Sequence, residues 1–404
     1  SIKLTQYLLG MIFLFIVCLI VFLFIFLFKK NGQIIVLFFI ITVLSFNILD
    51  FRKNISSFPQ VNTNNSIINL DGDLNKKLVI IFDEMSGINS FESSHPSGLK
   101  TKKKLKDLFD KYQFTYYPNA QSISSETRTS IPSMLNFVNS MEQYSILKSK
   151  IPKNKKLFVE KSNNFFIEYE VTSNKFFDSK HIKNIVIYQN MFLNYCNHYK
   201  VIKCYQYNPF DQNNKYVDGF KNNFLTRFLS AYKYSLSVIG RIFWRASRQL
   251  RFSDSTIEPM GQKATLPYLF NKIEDSLSKE KANLTFVYLL APHSPYVFDK
   301  NCKYDGSISI GSVRTVEEYK IFHHNQERDC MVYFLDIFFN DLQKKEFWKR
   351  LEIFIVSDHG SRIKGKYDER SLSAIFAVKT KNIRPGLKKD KIKTNYLFNK
   401  LNNY

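Results

Sequence analysis

Apolar runs of two kinds alternate along this chain. The first kind is long and uncharged. Residues 7–28, YLLGMIFLFIVCLIVFLFIFLF, match the roughly 20 apolar residues that a bilayer-crossing helix needs. A polar turn, Lys29-Lys30-Asn31-Gly32-Gln33, separates them from a second and shorter run at 34–49, which ends at Asp50. The pattern predicts a transmembrane hairpin over 1–53 rather than a signal peptide, because no short apolar core with a small-residue cleavage site is present. Lys29 and Lys30 place the turn in the cytoplasm by the positive-inside rule, so the chain beyond Asp50 is expected on the opposite side of the membrane. The chain does not begin with Met, and further spans are expected upstream. Residues 54–76, rich in Asn, Ser and Asp, read as a linker.

The second kind of run is short and ends in chemistry. Lys77–Phe82 (KLVIIF), Asn283–Leu290 (NLTFVYLL) and Ile353–Val356 (IFIV) are unbroken, as expected for strands buried on both faces of a parallel sheet. Phe165–Val171, Ile182–Tyr188 and Ser371–Val378 are further expected strands. Helical spacing is read at Leu105–Tyr112, at Ser130–Phe137 and over the long stretch Val316–Lys345. Strands alternating with helices predict an α/β domain over 77–404, with a mostly parallel central sheet flanked by helices. Phe224–Phe252 stands apart: it has no acidic residue, and Arg and Lys are interleaved with aromatic and aliphatic positions. It reads as an interfacial amphipathic helix or as a buried one.

Each core strand delivers polar residues to its carboxyl end, where ligands of α/β sheets gather. The first ends in Asp83-Glu84, two adjacent carboxylates that are costly unless solvated or bound to a cation. The second leads to His293, and the third ends in Asp358-His359-Gly360. Asp and His are O and N donors of the kind Zn²⁺ or Mn²⁺ accepts. Between the first two lies a hydroxyl-rich stretch, Ser122–Ser130, at a helix start, where backbone N–H groups favour an anion.

Charge and cysteines refine this picture. The 404 residues carry 58 Lys and Arg against 35 Asp and Glu, a net +23. Lys is spread along the chain beside abundant Asn, Ile and Phe, and no nucleic-acid-binding signature accompanies it, so nucleic acid is not an expected partner. An anionic membrane surface is the better use of the charge. Cys18 lies in an apolar run, while Cys196, Cys204, Cys302 and Cys330 lie in loop-like sequence without zinc-finger spacing. Those four allow three pairings and read as disulfides of an oxidising compartment, with free buried thiols as the alternative.

The order of these clusters (Asp-Glu, a Ser/Thr-rich helix start, His-Ser-Pro, Asp-His-Gly) resembles the sulfatase-like branch of the alkaline phosphatase superfamily. The nearer likeness is to membrane-anchored phosphoethanolamine transferases and lipoteichoic acid synthases, over roughly Lys77–Val378. The resemblance implies a divalent metal, zinc before manganese or calcium, held by Glu84 with Asp83 beside it, by Thr127 and by Asp358 and His359. Thr127 matches the nucleophile, standing just before Ser130-Ile131-Pro132-Ser133-Met134, and His293 matches a histidine that contacts the phosphate or the leaving group. Arg128, His323, His324 and Arg362 are weaker substrate-binding candidates. Two departures stand out: no histidine comes after His359, and the Cys/Ser-Pro-Arg signature of true sulfatases is absent.

What the resemblance implies is an inner-membrane transferase with its catalytic domain on the periplasmic side. It would move a phosphoethanolamine- or phosphoglycerol-like group from a membrane lipid donor to a cell-envelope glycan acceptor through a phosphothreonine. A hydrolase or phosphodiesterase using the same site, and a non-catalytic membrane scaffold, are the competing readings.

Overall fold

The computed structural model describes residues 76–150, 169–170, 174–189, 193–196, 198–206, 266–294, 296–303, 317–365 and 367–402. The hairpin expected over 1–53, the linker as far as residue 75 and the amphipathic stretch 224–252 lie outside them. Among the described residues no helix is long and apolar enough to cross a membrane.

Ten strands are described: β1 (Lys77–Asp83), β2 (Thr115–Tyr116), β3 (Tyr169–Glu170), β4 (Ile185–Gln189), β5 (Leu193–Asn194), β6 (Val201–Gln206), β7 (Leu284–Pro292), β8 (Glu352–Ser357), β9 (Phe376–Lys379) and β10 (Gly386–Leu387). Eight of them form one sheet in the order β10-β2-β9-β8-β1-β7-β4-β6, and β3 pairs with β5 apart from it. Within the large sheet only β9 runs against its neighbours, so the expectation of a mostly parallel sheet holds.

β1 is the centre. Its seven residues are all buried, and alternate side chains enter two different cores. Leu78, Ile80 and Phe82 join helices Pro96–Lys111, Leu266–Lys279 and Glu317–Gln343. Val79 and Ile81 join helices Thr127–Leu135 and Thr394–Asn402 on the other face. Burial on both faces explains why the sequence is a continuous apolar run with no polar alternation. Fully burying one such side chain stabilises by about 1.5–3 kcal/mol. At the base of the sheet Lys77 and Glu352 form a buried ion pair at 3.2 Å, joining β1 to β8.

Several elements differ from the expected ones. The helix expected from Leu105 begins at Pro96, because its buried stripe opens with Gly98 and Thr101, which carry no apolar signal. The next helix spans Thr127–Leu135 rather than Ser130–Phe137, and Phe137 lies beyond its end with φ +58°. Ser371–Val378 divides into a 3₁₀ turn, Glu369–Leu372, and the short strand β9. The two-residue strands β2 and β10, strand β6 and the helices Leu266–Lys279 and Thr394–Asn402 add elements that apolar runs did not reveal.

Candidate active site

β1 lies between β7 and β8, parallel to both. Their carboxyl ends therefore stand side by side, and they deliver Asp83, His293 and Asp358-His359 to one rim. Backbone bonds fasten the rim: the His293 amide donates to the Asp83 carbonyl (3.1 Å) and the Asp358 amide to the Phe82 carbonyl (3.0 Å). Gly360 comes next because nothing else fits. A Cβ there would lie 2.2 Å from the Ser373 carbonyl oxygen.

Asp83, Asp358 and His359 form a buried group whose ligand atoms all lie within 4.8 Å of one another. Asp358 Oδ1 accepts from the amides of His359 (2.7 Å) and Glu84 (3.2 Å). Its Oδ2 accepts from the Thr127 hydroxyl at 2.7 Å. Asp83 Oδ2 accepts from the Tyr288 hydroxyl (2.7 Å), while Asp83 Oδ1 is buried without a hydrogen bond, 3.7 Å from His359 Nε2. His359 Nδ1 donates to the Gly360 carbonyl (2.7 Å), which leaves the Nε2 lone pair facing the carboxylates. Thr127 Oγ1 is 3.4 Å from that same Nε2.

Two buried carboxylates this close need a proton or a cation between them. Burial and then the nearby Asp358 charge raise the Asp83 carboxyl to about 6. Burial raises Asp358 to about 7 despite its hydrogen bonds to Thr127 and two amides. Burial also lowers the His359 imidazole, keeping it neutral. A neutral imidazole and two carboxylates, one of them with a buried oxygen that has no hydrogen bond, fit a divalent metal of the zinc or manganese type.

Glu84 departs from its expected place. It is the first residue past β1 and adopts φ +64°, a left-handed conformation that costs a non-glycine residue on the order of 1 kcal/mol or more. Its carboxylate accepts from Arg362 Nε and lies 4.0 Å from His293 Nε2, outside the Asp83–Asp358–His359 group. Burial pushes Glu84 up, but His293 and Arg362 outweigh it and hold the carboxyl at about 2. Arg362 Nη2 in turn donates to His293 Nε2 at 2.8 Å, and His293 Nδ1 bonds the Ser294 carbonyl. A second cluster, Glu84–Arg362–His293, thus adjoins the first.

The weaker candidates separate. His324 is fully buried and its Nε2 donates to the Glu84 carbonyl (3.1 Å), so it braces the acid's backbone rather than meeting a substrate. His323 is half-buried against Phe322. The exposed Arg128 side chain donates to Glu126 Oε2 (2.8 Å). Both disulfides form, as Cys196–Cys204 and Cys302–Cys330.

Sequence reasoning missed Tyr288, which looks like any other core residue of its strand, and Tyr195, whose buried hydroxyl is pushed up by burial and by the Asp358 charge. It also missed Arg328. This buried residue of helix Glu317–Gln343 donates to the carbonyls of Ser86 (2.9 Å) and Gly87 (3.3 Å), just past the acid pair. Ser86 Oγ in turn accepts from the Ser361 amide (3.0 Å), next to Arg362.

No protein-family model and no curated protein matches the chain. Among solved structures it is similar to a protein in the alkaline phosphatase superfamily from Vibrio parahaemolyticus (12% identity, 87% of this chain and 72% of that one, TM-score 0.43). It is similar to the C-terminal periplasmic domain of a phosphoethanolamine transferase from Campylobacter jejuni (12%, 82% and 89%, TM-score 0.42). A phosphonate monoester hydrolase from Silicibacter pomeroyi is a third (10%, 80% and 72%, TM-score 0.48). The superfamily that the motif order resembles is represented among them. The chemistry has to be read from the residues themselves.

Proposed function

We propose that the chain is a metal-dependent phosphoryl-group transferase in which Thr127 is the nucleophile. One observation carries this reading: the Thr127 hydroxyl donates to Asp358 at 2.7 Å, beside the Asp83 oxygen that has no hydrogen bond and the His359 Nε2 that faces both carboxylates. Asp83, Asp358, His359 and Thr127 would hold the cation. When bound, it lowers the hydroxyl's pKa and neutralises charge on phosphoryl oxygens.

Thr127 Oγ1, having released its proton to water, attacks phosphorus of a phosphodiester as the bond to the departing alcohol breaks. The phosphothreonine that results is then attacked by an acceptor hydroxyl, whose proton passes to His293 to replace the one given to the first departing oxygen, and the P–O bond to Thr127 breaks to return its oxygen as it began. Arg362, held by Glu84, supplies positive charge for the phosphoryl oxygens. His293 protonates the departing oxygen, for which its Nε2 must exchange the Arg362 contact for a proton. The donor is a membrane lipid head group and the acceptor a cell-envelope glycan, on the periplasmic side. The apolar runs at 7–28 and 34–49 and the two disulfides support that location.

The test feeds labelled phospholipid to the full chain, with and without glycan, and maps the label by mass spectrometry. Label on Thr127 that chases to glycan is expected. Thr127→Ala should lower turnover at least ~1,000-fold while a divalent cation still binds. Free head group released equally with and without glycan would make water the acceptor. Full activity in Thr127→Ala would end the proposal.

A further inference from the structure

The segment after β9 makes a surface that the catalytic reading does not use. Residues 381–393 carry six basic side chains, Lys381, Arg384, Lys388, Lys389, Lys391 and Lys393, against the single acid Asp390. The first five are exposed, and none is ion-paired with a described acidic side chain. Within the segment, burial and then the Lys391 charge lower the Lys393 ammonium, against the opposing charge of Glu369. Two exposed apolar side chains, Leu387 (39%) and Tyr396 (45%), belong to the same stretch of chain.

Lysines on an edge strand discourage pairing with another sheet, and β10 is an edge strand. A strand of two residues does not need six cations for that purpose. We propose that the surface from Lys381 to Tyr396 is a docking platform for an anionic phospholipid bilayer. The charges supply attraction to acidic head groups, and Leu387 and Tyr396 gain by entering the head-group boundary. A single exposed aromatic ring offers no succession of stacking platforms for the bases of a nucleic acid.

The platform is fastened to the loop that delivers the nucleophile. The Gln121 amide donates to the Ile392 carbonyl (2.9 Å), and the Thr394 amide donates to the Gln121 carbonyl (2.8 Å). Asn119 Nδ2 donates to the Lys389 carbonyl (2.9 Å). The proposal is independent of the catalytic reading, since an inactive chain with this surface docks equally well.

Hydrogen exchange tests it on the full chain reconstituted in vesicles of phosphatidylcholine, with and without phosphatidylglycerol. Amides of 381–393 should exchange several-fold more slowly when phosphatidylglycerol is present, and high salt should abolish the difference. Each charge removed weakens adsorption roughly fivefold. The combined variant Lys381→Gln, Arg384→Gln, Lys388→Gln, Lys389→Gln and Lys391→Gln should thus lose the protection while its thermal midpoint stays unchanged. Equal exchange in both vesicles overturns the proposal. So does protection that persists in the variant, or protection that only a soluble polyanion such as polygalacturonate or duplex DNA produces.

Discussion

Asp83 and Asp358 hold their protons far more tightly in the folded chain than the ordinary carboxylate value of 3.8 allows, at about 6 and about 7. A carboxyl raised by folding stabilises the fold while it is protonated, below the unfolded value. That contribution is lost as pH rises through the folded value. The metal-free chain should therefore lose stability between about pH 4 and about pH 7, by an amount on the order of several kcal/mol for the two groups together. A divalent cation takes the place of the protons, so its binding should be weak in acid and strong above neutrality. Thermal unfolding with and without zinc at about pH 5 and about pH 8 measures this. A larger zinc-induced rise in Tm at the higher pH is expected, and an equal rise at both would remove these aspartates from the ligand set.

At the scale of elements, the site was legible wherever a residue ends an apolar run. Asp83, Asp358 and His359 come directly off β1 and β8, and Thr127 opens its helix. What was not legible depends on how elements pack. Glu84 and Asp83 are neighbours in sequence, yet the positive φ at Glu84 goes with a carboxylate that faces Arg362. Arg328 sits in a long helix where no apolar run marks it, but its guanidinium is fully buried, within electrostatic reach of the equally buried Glu92. Burial raises the Glu92 carboxyl and the Arg328 charge opposes that rise, so the two charges lean on each other. Arg328→Met should cost about 3–5 kcal/mol in urea unfolding, because it removes buried hydrogen bonds to two carbonyls together with the charge that opposes the rise of the Glu92 carboxyl. Adding Glu92→Gln should recover much of that loss. The single variant should also weaken metal binding, since the loop carrying Ser86 and Gly87 loses its support. Two losses that simply add would show that the residues act separately.

For the molecule as a whole, the two disulfides differ in how much chain they constrain. Cys302–Cys330 spans 28 residues and Cys196–Cys204 spans 8. In the chain-entropy account the longer loop contributes about 3.5 kcal/mol and the shorter about 2.5 kcal/mol. The longer bridge also ties the segment following His293 to helix Glu317–Gln343. There Glu327 Oε2 accepts from the amides of Val297 (3.1 Å) and Phe298 (3.2 Å). The same helix supplies Arg328 beneath the acid pair and His324 beneath Glu84, so this bridge and the site share one support. Replacing Cys302 and Cys330 by Ser should therefore lower stability by about 3 kcal/mol. It should also speed hydrogen exchange over 296–303 and slow turnover, all without touching a group that meets substrate. Replacing Cys196 and Cys204, which lie by β5 and on β6, should lower stability by a smaller amount and leave turnover near its starting value. Equal effects of the two replacements on turnover would mean that the bridges act only through global stability, and that the tie between helix Glu317–Gln343 and the His293 segment plays no part in the chemistry.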